Sequence, residues 1–310
     1  MAERNLIERL DGMIDAILEG RLAPPIDPDL AMLAVLATDL RELPDPRFKS
    51  RLRGEILTNE EEIMQTAVMV TEVRPYFVAR GADELIAFLK ATFDAELLGR
   101  VPAPGGTVMH AEVRVGDAIV EMGDAGGKWE PLAAPMHVYV EDVDETYRRA
   151  LAAGATSLYE PVNQPYGDRE AGVVDRTGGE WFLARRLEGK PPAASVTAGL
   201  RVTEAERLLA FLKSAFGAEH LSGSMEHAEL RLGESVLKLS EAHGRWGAVR
   251  GAFHLYTGDC DAAYEAALAA GASSLYAPED QPYGERSGGV IDPWGNQWYI
   301  ATPLAKKRRR

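Results

Sequence analysis

One cysteine, Cys260, occurs in 310 residues, which excludes an intrachain disulfide and any cysteine-rich metal centre. Its place at the start of a helical stretch reads as a small, half-buried filler. No apolar run reaches the 18 residues that a membrane span requires. No basic, apolar, small-residue leader opens the chain, so a cytoplasmic location without membrane contact is expected. Positive charge is in the minority, with 34 Lys and Arg against 48 Asp and Glu for a net charge of -14. That balance disfavours nucleic acid as a partner. The basic tail Lys306–Arg310 reads as a solvated terminus. There is no Gly-x-Ser-x-Gly elbow, no phosphate-binding loop and no His-Glu-x-x-His helix. What is present, 46% hydrophobic and 26% charged residues, describes a globular chain able to bury two cores.

The chain repeats itself. Residues 137–184 and 254–301 align without a gap at an offset of 117, with 26 of 48 positions identical. An internal repeat fixes domain number and architecture together. Slots that agree between copies are architectural; slots that differ show what each copy has changed.

Three regions follow. Residues 1–68 read as short helices, with Leu6, Leu10, Met13, Ile14 and Ile17 at helical spacing and Gly20 ending the first run. Residues 69–188 and 195–304 are the two repeat domains, joined by the Pro/Gly-containing stretch Arg186–Ser195. Within the first domain, Val73–Val78 reads as a strand and Asp83–Phe93 as an amphipathic helix. His110–Val115 and Ala118–Met122 form a hairpin about Gly116-Asp117. Strand Met136–Val140, helix Val143–Ala153 and strands near 157–161, 172–175 and 180–184 follow. Strand, helix, then about three strands occurs four times, an α+β pattern. It lacks the even alternation and Gly-rich first turn of a dinucleotide fold.

The segments RPYFVARGADELIAFLKATFDAE, MHAEVRVGDAIVEMGD, MHVYVEDVDETYRRALAAGA and QPYGDREAGVVDRTGGEWFLA resemble the vicinal oxygen chelate superfamily, in particular its PhnB-like branch. EHAELRLGESVLKLSE, FHLYTGDCDAAYEAALAAGA and QPYGERSGGVIDPWGNQWYIAT repeat the signature. The superfamily includes glyoxalase I, bleomycin- and fosfomycin-resistance proteins and extradiol dioxygenases. The resemblance implies paired βαβββ modules whose sheets curl around a cleft, preceded here by an accessory helical segment.

Members that are enzymes hold a divalent metal with His, Glu or Gln on the first and last strands of each module. Carried onto the first domain, the four slots are Tyr76, Glu121, His137 and Phe182, with Glu180 two residues before the last. In the second they are Gly199, Lys238, His254 and Tyr299. An ammonium repels a metal, so no cofactor is expected in the second domain. In the first, Glu121, His137 and Glu180 are the only candidates for one divalent ion. The resemblance then implies a binding protein for a small, aromatic or apolar organic molecule. Its contacts would be Tyr76, Trp129, His137, Tyr139 and Phe182, and Lys238, Trp246, His254, Tyr256 and Tyr299. One alternative is a metal-dependent lyase, isomerase or dioxygenase with Glu121 and His137 catalytic. Another is a structural or regulatory protein with filled clefts.

Trp129 and Trp246, beside Gly126-Gly127 and Gly244, are expected to form mobile lids. Arg169 and Arg286 are expected to pair with Asp175 and Asp292 or neighbouring acids, and His110 and His227 to pack locally at strand ends. Trp181 should pack beneath the helices. Fused domains allow a monomer, while apolar N-terminal helices would allow a homodimer.

Overall fold

Alternation sets the strands, and the structure, a computed structural model describing residues 69–189 and 194–304, follows it closely. In β1 (Val70–Ala79), Val73 and Phe77 are buried while Glu72, Arg74 and Tyr76 on the opposite face are half-buried. The first module continues with α1 (Ala82–Phe93), β2 (Glu96–Pro102), β3 (Val108–Val115) and β4 (Ala118–Asp124). The second contains β5 (Met136–Tyr139), α2 (Val143–Ala152), β6 (Thr156–Asn163), β7 (Asp168–Val174) and β8 (Glu180–Arg186). The third has β9 (Val196–Val202), α3 (Ala205–Phe216), β10 (Glu219–Ser222), β11 (Ala228–Leu232) and β12 (Ser235–Glu241). The fourth has β13 (Ala252–Thr257), α4 (Cys260–Ala269), β14 (Ser273–Asp280), β15 (Glu285–Ile291) and β16 (Gln297–Pro303). Four βαβββ modules are therefore present. The helices expected in residues 1–68 lie outside the described residues.

The modules pair differently from the repeat order. One eight-stranded sheet runs β14-β15-β16-β13-β1-β4-β3-β2 and the other β10-β11-β12-β9-β5-β8-β7-β6. Module one thus joins module four, and module two joins module three. The joints are antiparallel, Arg74 opposite His254 and His137 opposite Thr197. Each sheet is completed within the chain, and each takes half of its strands from each repeat.

The helices lie on one face of the strands and share a continuous core. Trp181 stacks on Phe77 at 5.5 Å and meets Phe88 and Phe93, as expected of a residue beneath the helices. Trp298 repeats this on Phe253 and Phe216. Both indoles are fully buried, and their N–H groups donate to Asp175 at 2.7 Å and Asp292 at 3.1 Å. Asp175 and Asp292 are committed to these tryptophans and to their own turns. Arg169 and Arg286 instead bind Asp144 and Asp261, first-turn acids of α2 and α4, with Asn163 and Asp280 beside them. Asp142 and Asp259 cap those two helices through Glu145 N and Ala262 N, each at 3.0 Å. Cys260 is buried, its thiol facing the Ile300 carbonyl, and burial pushes its pKa up to about 11.

The opposite faces curl. Tyr166, before β7, and His227, before β11, have ring centroids 6.4 Å apart. In a flat sheet the five intervening strand spacings would separate β7 from β11 by roughly 24 Å. The second sheet therefore encloses a cup on its helix-free face, and the equivalent face of the first sheet, built from modules of the same kind, is its counterpart.

Candidate functional site: two dissimilar cups

The crossed pairing regroups the sequence-derived positions. Tyr76, Glu121, His254 and Tyr299 share the cup of the first sheet, with Tyr256 and Trp129. His137, Phe182, Gly199 and Lys238 share the other, with Tyr139, Trp246 and Glu180. The grouping of slots by repeat domain is corrected here. Glu121 belongs to a different sheet from His137 and Glu180, so these three do not converge on one ion. The short link between modules one and two does not make neighbours of β1 and β5; each pairs with the opening strand of a module from the other repeat.

In the first cup, Glu121 is fully buried. It accepts from His254 Nδ1 at 2.7 Å, Arg74 Nη1 at 3.0 Å and Tyr256 OH at 3.3 Å. Arg74 also makes a two-pronged pair with Glu72 and reaches Glu112. Burial pushes the Glu121 carboxyl up, but the hydrogen bond and charge of His254, with His110 and Arg74, outweigh it and hold it below the usual range. Burial, helped by the Glu121 charge, raises the Tyr76 phenol well above its ordinary value, so it stays protonated. His254 Nε2 is buried without a hydrogen-bond partner, 3.6 Å from a Glu285 oxygen. Tyr76 meets Tyr299 edge-on at 5.1 Å and stacks with His110 at 6.0 Å. His110 thus lies in the cup wall, while His227 faces Tyr166 at the mouth of the other cup.

The second cup keeps a buried His–Glu pair but rebuilds it. Lys238 stands at the repeat position of Glu121, and the acid has moved to Glu170, where the other copy has Ser287. His137 Nε2 donates to Glu170 at 2.9 Å, and Tyr159 OH donates to the other Glu170 oxygen. Here Nδ1 is the unpartnered ring nitrogen, the reverse of His254. Burial lowers the His137 pKa, with the Lys238 charge adding to it against the pull of Glu170. Tyr139 donates to Asp168, which also pairs with Arg186, and burial pushes the Tyr139 phenol up to about 12. Glu180 is tied to Arg201 at 2.9 Å.

Both tryptophans stand against the aromatic side chains of their cups. Trp129 meets Tyr299 at 5.9 Å, and Trp246 meets Phe182 at 5.7 Å and Tyr159 at 6.2 Å. Each ends a closed turn, with reciprocal backbone bonds between Gly126 and Trp129 and between His243 and Trp246. Gly127 and Gly244 supply the positive φ, 58° and 52°, that these turns require.

Arg74, Glu170, Tyr159 and Arg201 escaped the sequence reading. Arg74 was within reach of it, since it sits two residues before Tyr76 on the same strand face. Glu170 is a repeat mismatch with Ser287, and such mismatches are where copies diverge in chemistry.

This chain belongs to the Glyoxalase/Bleomycin resistance protein/Dioxygenase superfamily, whose family model matches residues 73–182 and 194–300. An uncharacterized protein of Mycobacterium tuberculosis (strain ATCC 25618 / H37Rv) is 37% identical over 122 residues, covering 36% of this chain and 72% of that protein. Glyoxalase I from Zea mays shares the fold with a TM-score of 0.59 at 19% identity, covering 74% of this chain and 92% of that one. A putative dioxygenase from Bacillus subtilis does so with 0.53 at 13% identity, covering 77% and 86%.

A divalent metal, which the family implies, does not fit either cup. Glu121 and His254 are bonded to each other, and the Arg74 guanidinium lies 3.0 Å from the same carboxylate. The other two positions there are protonated phenols. In the second cup the positions are Gly199, Lys238, His137 and Phe182, which offer one neutral donor and one cation. Among the described residues no group of three or more His, Cys, Asp or Glu side chains could hold a metal ion. No helix among them is long and apolar enough to cross a membrane.

Proposed function

We propose that the cups bind small organic molecules, aromatic or apolar, without a complete metal site. The supporting observation is the pairing, in each cup, of an indole and phenyl or phenol walls with a floor whose polar groups are largely committed to one another. Such a cavity gains affinity from ring burial and orientation from a few fixed polar atoms. Within the family we assign the chain to the PhnB-like branch, on the segments that carry that likeness, and to the cytoplasm.

The test is a thermal-shift and tryptophan-fluorescence screen of flat aromatic compounds against the whole chain, Trp129→Ala and Trp246→Ala. A ligand at a hundredfold excess over its Kd should add about 2.7 kcal/mol to stability. That gain should disappear in the tryptophan variant of the cup it occupies. No saturable ligand, with both cups closed, would favour the structural or regulatory reading. Stoichiometric metal that is lost on Glu121→Gln or His137→Gln would favour the metal-dependent one.

A second reading concerns the first cup. Glu121 holds His254 by Nδ1 and leaves Nε2 without a hydrogen-bond partner, the arrangement of an oriented general base. Proton abstraction from a bound ligand without a metal follows from it. The check is deuterium exchange into ligands found by the screen, with loss in His254→Gln.

A further inference from the structure

Lys238 differs from the arginines that reach into the two cups. Arg74, Arg186 and Arg201 each make an ion pair. Lys238 has no carboxylate oxygen within 4 Å among the described residues, although Glu170, Glu229 and Asp168 all act on it from further off. The other lysines among the described residues, Lys90, Lys128 and Lys213, are exposed. The neighbour of Lys238 in the ladder is Gly199, where a Cβ would already meet Pro135 at 3.2–3.7 Å. The lysine extends across β9 to the Tyr139 ring on β5, with Nζ 5.7 Å from its centroid. Tyr139 in turn lies 4.9 Å from the His137 ring, and His137 is hydrogen-bonded to Glu170. An amine, a histidine–carboxylate pair and an aromatic wall of Phe182, Tyr159 and Trp246 thus occupy one cup.

We propose that Lys238 is a nucleophilic amine that captures an aromatic aldehyde or ketone in the second cup as a reversible imine. The inference rests on the small-molecule reading of that cup. The neutral amine attacks the carbonyl carbon and its lone pair forms the C–N bond. The carbonyl oxygen then leaves as water, carrying both amine protons, and hydrolysis reverses the step. No redox partner is needed. The His137–Glu170 pair is placed to shuttle protons to and from the departing oxygen. Burial lowers the Lys238 pKa, which raises the share of reactive amine near neutral pH.

The experiment uses benzaldehyde as probe, with cyanoborohydride to reduce any imine to a stable benzyl amine, followed by peptide mass mapping. Lys238 should be labelled saturably and at least about tenfold faster than Lys90, Lys128 and Lys213, which lack its buried setting. Lys238→Met should abolish that label while keeping the wild-type circular dichroism. In the wild-type protein, where folding is not in question, benzyl alcohol should protect Lys238 from labelling. Saturable stabilisation by benzyl alcohol together with labelling spread evenly over the lysines would overturn the imine and leave the binding reading standing. Absence of both saturable labelling and stabilisation would overturn the two together.

Discussion

Replacing Glu121 by glutamine keeps its shape and removes the charge on which the first cup is organised. In the folded protein this carboxylate is fully buried and shared by Arg74, His254 and Tyr256. Removing one member of a buried pair costs about 3–5 kcal/mol, because the partner is left uncompensated. Arg74 retains its two-pronged bond to Glu72, whose side chain is 41% exposed. The loss is therefore placed at about 2–3 kcal/mol, or roughly 5–10 °C in Tm for a unit of this size. The effect has a pH signature. Glu121 titrates below its ordinary 4.5 in the fold, so the folded state binds fewer protons than the unfolded chain as pH falls through that value. Its stabilisation is complete above about 4.5 and is lost as pH drops through the lower, folded value. Urea unfolding followed by tryptophan fluorescence, repeated from neutral to acid pH, measures both. A difference below about 1 kcal/mol near neutral pH, or one that persists unchanged in strong acid, would refute the argument.

His137 gives a second pH window: its pKa lies below the ordinary 6.5 through burial. The unfolded chain then takes up a proton that the fold resists, and stability is lost as pH falls below about 6.5. His137→Gln should flatten that limb, as urea midpoints either side of 6.5 will show. A Cβ at Gly172 would fall 2.5 Å from the Tyr159 ring, so Gly172→Ala should cost about 1–3 kcal/mol. Because Tyr159 holds Glu170, the same variant should weaken ligands of the second cup and spare those of the first, measured by calorimetry. Arg169→Ala breaks a surface pair with Asp144 and a hydrogen bond to Asn163 and should change the denaturation midpoint by less than the equivalent of about 1 kcal/mol, with ligand affinity intact.

Local patterning made the modules legible. Helix Asp83–Phe93 and the hairpin about Gly116-Asp117 were readable because hydrophobic spacing and turn chemistry are local. β2 was not, since its residues are mostly exposed and carry no alternation; it borders β3 alone and forms the sheet edge. The His and aromatic positions of both cups were readable from the repeat. Which positions meet was not, because partner choice between β5, β9 and β13 depends on tertiary packing that the repeat cannot encode. Arg169 shows the same limit. Its charge called for an acid, but Asp175 was already bound by the Trp181 indole, and only the fold reveals that commitment.

The crossed pairing explains why two cups in one chain can differ. If two identical chains completed one another's sheets, symmetry would force the same residues into both cups. Here each cup takes one module from each repeat, and the repeats are free to diverge. The divergence is coordinated across strands. Where Glu121 gives way to Lys238, an acid appears at Glu170 in place of Ser287, so a buried histidine keeps a carboxylate partner in both cups. Neither exchange is favourable alone, because Lys238 without Glu170 would leave His137 unpaired beside a cation, and an acid at position 238 beside Glu170 would crowd two acids on one histidine. Grafting Glu at position 238 should therefore destabilise the second cup unless Glu170→Ser accompanies it. A double-mutant cycle should return a favourable coupling of about 1–3 kcal/mol. Additive costs would mean that the two substitutions are independent drift and that the cups do not differ by design of their charge.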